Sequence, residues 1–273
     1  MFCVSSRNAL ILRFTFEAAF MTTLKIANLD GNPEIFHSIQ GEGKNMGQPS
    51  VFIRTSLCNL HCIWCDTDYT WNWEKTRFAH VKDEDPTYKK YEMDKMIISL
   101  TLEEIYDEVA KSGCKNIVLT GGEPMMQLEE LSELIEFFNT KADDYFFEIE
   151  TNGTLLPDAT FESLIDQYNV SPKLANSNNP KKLREKPAAY KYFSTNEKAV
   201  FKFVIASEND LTEVLEICEN YKIPKQKIYL MPEGTNPEAL KKKQQWLIEV
   251  CKKHQFHYTD RIHVHIYGDK RGV

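Results

Sequence analysis

The sequence predicts an α/β fold, an open and incomplete (β/α) barrel, and three observations carry that expectation. Beyond residue 50, short β-rich runs alternate with amphipathic stretches, as in stacked βα units. Several runs, such as Asn116-Ile-Val-Leu-Thr120, are apolar without interruption, so both faces are expected to be covered and the sheet to be mostly parallel. Fewer than eight such units fit within 273 residues, too few to close the ring. Chemistry is then expected at the carboxyl ends of the strands, where loops converge.

The expected strands are Val51 to Arg54, Asn116 to Thr120, Phe146 to Glu150, Asn169 to Ser171, Val200 to Ile205 and Ile228 to Met231, with a late strand or extended tail near Arg261 to Tyr267. The expected helices are Leu102 to Lys111, Leu128 to Asn139, Ala159 to Tyr168, Leu211 to Tyr221 and Glu238 to His254. Trp71 to Leu100 is aromatic and charged without clear period, and it reads as an insertion or lid. Asn176 to Lys198, rich in Lys, Pro and Asn, reads as a surface loop. No repeat or composition break marks a second domain, so residues 23–273 read as one domain. Residues 1–22 read as an extension, disordered or the product of an upstream start codon, with only a weak likeness to a targeting presequence.

With 42% hydrophobic residues the chain can bury a full core. No apolar run approaches a bilayer span, because even Ala9 to Phe20 is broken by Arg13 and Glu17. A soluble protein without membrane or nucleic-acid partners is expected, since the net charge of −7 offers no basic stripe for phosphates. A small-molecule substrate fits better. Of seven cysteines, Cys3, Cys114, Cys218 and Cys251 are scattered, whereas Cys58, Cys62 and Cys65 fall together. That distribution suits a metal site in a reducing cytosol rather than a disulfide framework.

Cys58-Asn-Leu-His-Cys62-Ile-Trp-Cys65 has the spacing C-x3-C-x2-C and follows the first expected strand. A structural zinc or an electron-transfer cluster normally takes four protein ligands. Three thiolates on a [4Fe-4S] cluster leave one iron open. His61 could complete a zinc site, but next to Cys62 on a tight loop its ring would tend to point away. Thr120-Gly-Gly-Glu-Pro124 also follows a strand. Its glycines could let a ligand approach the backbone, with Glu123 holding an ammonium; the alternative is a plain strand-to-helix turn opened by Pro124.

Together these two motifs resemble the radical S-adenosylmethionine superfamily, and the chain more closely resembles the 7-carboxy-7-deazaguanine synthase family. The matching blocks are Glu34-Ile-Phe-His-Ser-Ile-Gln-Gly-Glu-Gly43, Phe52-Ile-Arg-Thr55, Cys58 to Thr67, Thr120 to Pro124 with Gln127, Glu150-Thr-Asn-Gly153, Ser171-Pro-Lys173, Lys202-Phe-Val204 and Gly268-Asp-Lys-Arg-Gly-Val273. The resemblance implies a modified, incomplete (β/α) barrel of the radical SAM type, acting as a cytoplasmic homodimer. It implies a lyase that converts 6-carboxy-5,6,7,8-tetrahydropterin to 7-carboxy-7-deazaguanine with loss of ammonia, toward queuosine-type 7-deazapurines.

The implied cofactors are a [4Fe-4S] cluster on Cys58, Cys62 and Cys65, S-adenosyl-L-methionine (SAM), and Mg²⁺ ligated by the Thr67 hydroxyl. A flavodoxin- or ferredoxin-type protein would donate the electron. For SAM the resemblance implies Trp64, Cys65 and Asp66 along the cofactor, Gly122 and Glu123 at its amino end, and Ser171, Pro172 and Lys173 with Met231, Pro232, Glu233 and Gly234 beside the adenosyl group. For the pterin it implies Ile39, Gln40, Gly41, Glu42, Arg54, Thr120 and His263. Arg54 is the natural carboxylate partner because its planar fork binds bidentately. With His257 and His265 nearby, alignment at His263 could slip by two residues. Competing readings are a glycyl-radical-enzyme activating enzyme, which shares both motifs but would lack the block near Gln40, and a zinc-stabilised binding module.

Overall fold

The structure, a computed structural model, describes residues 22–142 and 144–273. Most of the extension expected over residues 1–22 therefore lies outside the described residues. Among the described residues eleven strands form one sheet in the order β11-β10-β9-β8-β7-β6-β4-β1-β2, with β3 on β4 and β5 on β1. The parallel part comprises β4 (Pro49–Thr55), β6 (Asn116–Gly121), β7 (Phe146–Thr151), β8 (Gln167–Val170), β9 (Ala199–Ile205), β10 (Ile228–Pro232) and β11 (His257–Tyr258). From β6 onward each strand is laid beside its predecessor without reversal. Right-handed crossovers then put the intervening helices on one face and leave the other concave. The pairing path does not close on itself, as the sequence predicts for an incomplete barrel.

The strands alternate more than their apolar runs suggested. Ile117, Leu119, Phe147, Ile149, Tyr168, Val170, Phe201 and Phe203 join the hydrophobic core. Their neighbours in sequence, including Thr120, Glu148, Glu150, Asn169 and Lys202, point to the opposite, concave face. Helices α1 (Leu102–Ala110), α2 (Leu128–Lys141), α3 (Ala159–Leu164), α4 (Lys181–Arg184), α5 (Pro187–Thr195), α6 (Asp210–Tyr221) and α7 (Pro237–His254) are followed by α8 (Ile262–Tyr267). Helix α1 begins at a capping box, in which Thr101 and Glu104 satisfy each other's backbone N–H groups.

Four expectations need correction. The sheet starts before residue 50: β1 (Thr23–Leu29), β2 (Asn32–Pro33) and β3 (Ile35–Ile39) form its antiparallel edge. The late strand near Arg261 to Tyr267 is instead helix α8. The helix expected over Ala159 to Tyr168 stops at Leu164, because Gln167 to Val170 are drawn into the sheet between β7 and β9. Asn176 to Lys198 is no surface loop, since α5 buries Ala189, Tyr190 and Phe193 against the core.

Trp71 to Leu100 is not a loose lid either. It buries Trp71, Asn72 and His80 and ends in β5 (Ile97–Thr101), which pairs along β1. Among its residues only Trp71 borders the cavity described below.

Removal of a fully buried ring distinguishes α5 as core from α5 as loop. Phe193→Ala is expected to lower unfolding free energy by about 3–5 kcal/mol, read from denaturant midpoints. A change within about 0.5 kcal/mol, as at an ordinary surface position, would contradict this packing.

Candidate active site

At the carboxyl ends of the parallel strands, one cavity is bordered by side chains from β3, β4, β6, β7, β9 and β10 and by the chain's last residues. Cys58, Cys62 and Cys65 line it together, on the loop that follows β4. The loop is placed there by Gly121 and Gly122. A Cβ on Gly121, whose φ is +136°, would stand 2.0 Å from the Thr55 carbonyl oxygen, and one on Gly122 would stand 2.1 Å from that of Leu57. The paired glycines thus admit the chain's own backbone at the root of the cysteine loop.

Each cysteine sulfur has a polar neighbour. The Leu60 N–H donates to Cys58 Sγ at 3.5 Å, Asn179 Nδ2 donates to Cys62 Sγ at 3.3 Å, and Thr67 Oγ1 lies 3.5 Å from Cys65 Sγ. Burial pushes all three thiols up, Cys62 to about 12. A bound cation is what would draw their protons off. Among the described residues no three His, Cys, Asp or Glu side chains converge on one ion-sized point. His61 is turned outward as expected: it stacks on Phe78 with ring centroids 3.3 Å apart, and burial lowers it to about 4. Three thiols with polar neighbours bordering one cavity fit a cluster short of a fourth protein ligand.

Most of the other expected site residues gather here. Ile39, Gln40, Gly41, Glu42, Arg54, Thr120 and His263 border the cavity, as do Trp64, Asp66, Thr67, Gly122, Ser171, Lys173, Met231, Glu233 and Gly234. Pro172 and Pro232 do not. Glu123, expected at the amino end of SAM, does not either, although Gly121 and Gly122 beside it do. Its buried carboxylate accepts from the backbone N–H groups of Met125 (3.1 Å) and Asn152 (2.6 Å) and from the Thr151 hydroxyl (2.8 Å), so it braces the turn. His263 lies so close to Gly41 that a Cβ there would meet Nδ1 at 2.1 Å. His257 stacks on Tyr229 and His265 pairs with Asp260, both away from the cavity, so His263 is the histidine at the site.

A chain of charges crosses the floor. Lys202 Nζ lies 2.7 Å from Glu150 and 2.6 Å from Glu42; Arg261 Nε lies 2.8 Å from Glu42, and its Nη2 bonds Asp66. Burial pulls the Lys202 ammonium down, but Glu150 and Glu42 outweigh it and hold it above its ordinary value. Burial likewise raises Glu42, but Lys202 and Arg261 overcome it and keep the carboxylate well below its usual range. Glu42 therefore meets the cavity already paired.

Gln40 is also engaged. Its Nε2 donates to Glu148 and its Oε1 accepts from the Glu42 N–H at 3.2 Å, while its own N–H donates to the Gln48 carbonyl at 2.8 Å and its carbonyl accepts from the Gly47 N–H at 2.7 Å. Arg54 spends Nε on Glu34 (3.0 Å), which Arg271 and Tyr69 also hold. Lys202, Arg261 and Glu148 were given no role by sequence. For Glu148 and Lys202 the signal was the period-two placement of charge in Phe-Phe-Glu-Ile-Glu-Thr and Ala-Val-Phe-Lys-Phe-Val-Ile; Arg261, ahead of a helix read as a strand, had no such local signal.

Comparison with known proteins agrees with this geometry. Residues 52–242 match the Radical SAM superfamily model, which covers more than half of the chain and defines its class: a radical SAM enzyme, using a [4Fe-4S] cluster and S-adenosylmethionine. The chain is 31% identical over 244 residues to 7-carboxy-7-deazaguanine synthase of Pyrobaculum aerophilum (88% of this chain, 95% of that one) and 33% identical over 253 residues to that of Rhodopirellula baltica (88% and 87%). It belongs to the 7-carboxy-7-deazaguanine synthase family. The crystal structure of QueE from Escherichia coli superposes with a TM-score of 0.62 at 24% identity, covering 90% of this chain and 97% of that one, and so shares the fold. Neither the activating-enzyme nor the zinc-module reading is favoured by these likenesses. Among the described residues no helix is long and apolar enough to cross a membrane.

Glu148 supplies a pH test. Burial, then the neighbouring Glu150 charge, lifts its carboxyl to about 7. Between about pH 4.5 and 7 the unfolded state has lost this proton while the folded state keeps it, so stability falls as pH rises, by about 3 kcal/mol in all. Glu148→Gln is expected to flatten that part of the stability–pH curve. Parallel curves for the two proteins would contradict the shift.

Proposed function

We propose that this chain converts 6-carboxy-5,6,7,8-tetrahydropterin to 7-carboxy-7-deazaguanine with loss of ammonia. The observation that carries this reading is that the three loop cysteines and the Ile39-to-Glu42 block, 16 residues apart at their nearest members, Glu42 and Cys58, border one cavity together with Arg54. Cys58, Cys62 and Cys65 hold the cluster. When bound, the cluster supplies the electron that splits the SAM sulfonium and yields a hydrogen-abstracting radical.

The chain's own residues bind and orient. The Arg54 guanidinium takes the pterin carboxylate, with Glu34 fixing its Nε and so the plane of its fork. The backbone and side-chain edge at Ile39, Gln40 and Gly41 reads ring donors and acceptors, and Thr120 and His263 close the sides. Burial lowers His263, so its imidazole meets the substrate neutral near pH 7. Glu42, held by Lys202 and Arg261, presents an ionised carboxylate to the guanidine-like edge. Trp64, Cys65, Asp66, Gly122, Ser171, Lys173, Met231, Glu233 and Gly234 flank SAM, with Pro172 and Pro232 shaping the backbone between them. The Thr67 hydroxyl would hold Mg²⁺ together with substrate oxygens and water. Residues 23–273 act as one radical SAM domain, in a cytoplasmic homodimer served by a flavodoxin- or ferredoxin-type donor.

Anaerobic reconstitution with iron and sulfide, followed by incubation with the carboxylated tetrahydropterin, SAM, Mg²⁺ and a reductant, should give a brown protein and the deazapurine by mass analysis. Recovery of 5'-deoxyadenosine without a deazapurine would reject the substrate while keeping the class. Replacing all three loop cysteines by alanine should abolish both the colour and the product. Arg54→Ala is expected to raise the KM for the pterin about 100-fold, as loss of about 3 kcal/mol of charge-assisted hydrogen bonding implies. An unchanged KM would remove Arg54 from the site.

A further inference from the structure

Residues 78–81 lie outside the cavity, yet they grip the cysteine loop at three points. Phe78 stacks on His61 with an interplanar angle of 8°. The Val81 N–H donates to the Ile63 carbonyl at 2.8 Å. His80, only 3% exposed, meets the Cys65 carbonyl through Nε2 at 2.9 Å. Its Nδ1 accepts from the Lys82 N–H at 3.2 Å, so the ring proton sits on Nε2 and the bond to Cys65 is a donated one. The backbone behind the ring is pinned as well, because Asp83 accepts the His80 N–H at 2.8 Å.

The loop needs such support. Within it, the Cys65 N–H donates to the Cys62 carbonyl at 3.1 Å and the Leu60 N–H to Cys58 Sγ at 3.5 Å, but further backbone partners lie elsewhere in the chain. The Ile63 N–H donates to Ser177 O at 3.0 Å and the His61 N–H to Asn179 Oδ1 at 2.9 Å, so residues 177–179 hold the loop as well. The loop is therefore held by two segments, and its shape is imposed from outside.

We propose that residues 78–81 are a clamp on the cysteine loop and that His80 is a positioning residue for the iron–sulfur site. By orienting the Cys65 carbonyl, His80 sets where the last thiolate of the motif points. This deepens the reading above and rests on Cys58, Cys62 and Cys65 holding the cluster. The segment read from sequence as a lid thereby gains a different task, carried out behind the site rather than over it.

The test uses anaerobically reconstituted full-length protein and follows iron release to a chelator, together with the paramagnetic resonance signal of the reduced cluster with and without SAM. Val81→Pro breaks the contact at its backbone. Val81 is 50% exposed and opens a turn after a residue at φ −140°, ψ 149°, so proline suits the backbone there, while its ring removes the N–H that holds Ile63 and sets Cδ against that carbonyl, so that segment and loop must part. Val81→Pro and His80→Phe are each expected to release iron about 10-fold faster than the parent and to alter the resonance signal. His80→Gln, whose amide can donate to the same carbonyl, should recover most of the loss.

Parent-like iron retention and signal in Val81→Pro and His80→Phe would overturn the clamp. Equal loss in His80→Phe and His80→Gln would overturn the part assigned to the donated bond. If His80→Phe fails to fold, Val81→Pro and His80→Gln decide by the same readings. A parent that takes up no cluster overturns the iron reading and the clamp with it, whereas a loaded parent with indifferent variants overturns the clamp alone.

Discussion

The alternating charges Glu150, Lys202, Glu42, Arg261 and Asp66 are the constraint on which the cavity depends. They come from strand β7, strand β9, the turn after β3, the start of helix α8 and the cysteine loop. Lys202 is 4% exposed, and a charge so placed is tolerated only when it is paired and hydrogen-bonded. Each member therefore holds its neighbours' segments in position. Register along β7 and β9 is specified twice, by the apolar residues on the outer face and by the charged ones within. A one-residue slip would turn Lys202 into the hydrophobic layer and Phe203 into the cavity.

The same alternation divides labour in the sheet. Outward residues such as Leu119, Ile149 and Phe203 bury the helices and supply the hydrophobic stabilisation, while inward residues one position away supply the chemistry. Strand β6 shows how closely the two are joined. Its last residue, Gly121, lets β4 and the cysteine loop approach to a distance no side chain would permit. The thiols are thus brought to the carboxyl end of the sheet by backbone contact and held there by Asn179 and by residues 78–81.

Membership of the 7-carboxy-7-deazaguanine synthase family and the arrangement of the cavity bear on one another. One wall carries sulfur donors and the adjoining one carries a guanidinium, a neutral imidazole and a paired carboxylate. That division suits a reaction in which a bound cofactor does the difficult cleavage and the protein orients and shields a polar heterocycle. The tail closing on Glu34 through Arg271, whose guanidinium lies 3.4 Å from the centre of the Tyr69 ring, makes the end of the chain part of that wall.

By itself the sequence determined the class of fold, the parallel strands β4 and β6 to β10, the C-x3-C-x2-C loop and the Gly-Gly pair, and, through its resemblance to a known family, the block around Gln40. These were legible because they are local patterns, set by neighbours within a few positions. Only the tertiary structure decided that α5 is core and not loop, that Arg261 to Tyr267 is helical, that Glu123 braces a turn, and that Lys202 and Arg261 join the cavity to the cysteine loop. Those outcomes depend on partners distant in the chain, such as Glu42 facing Arg261 or His80 facing Cys65, and no local periodicity records which distant groups will meet.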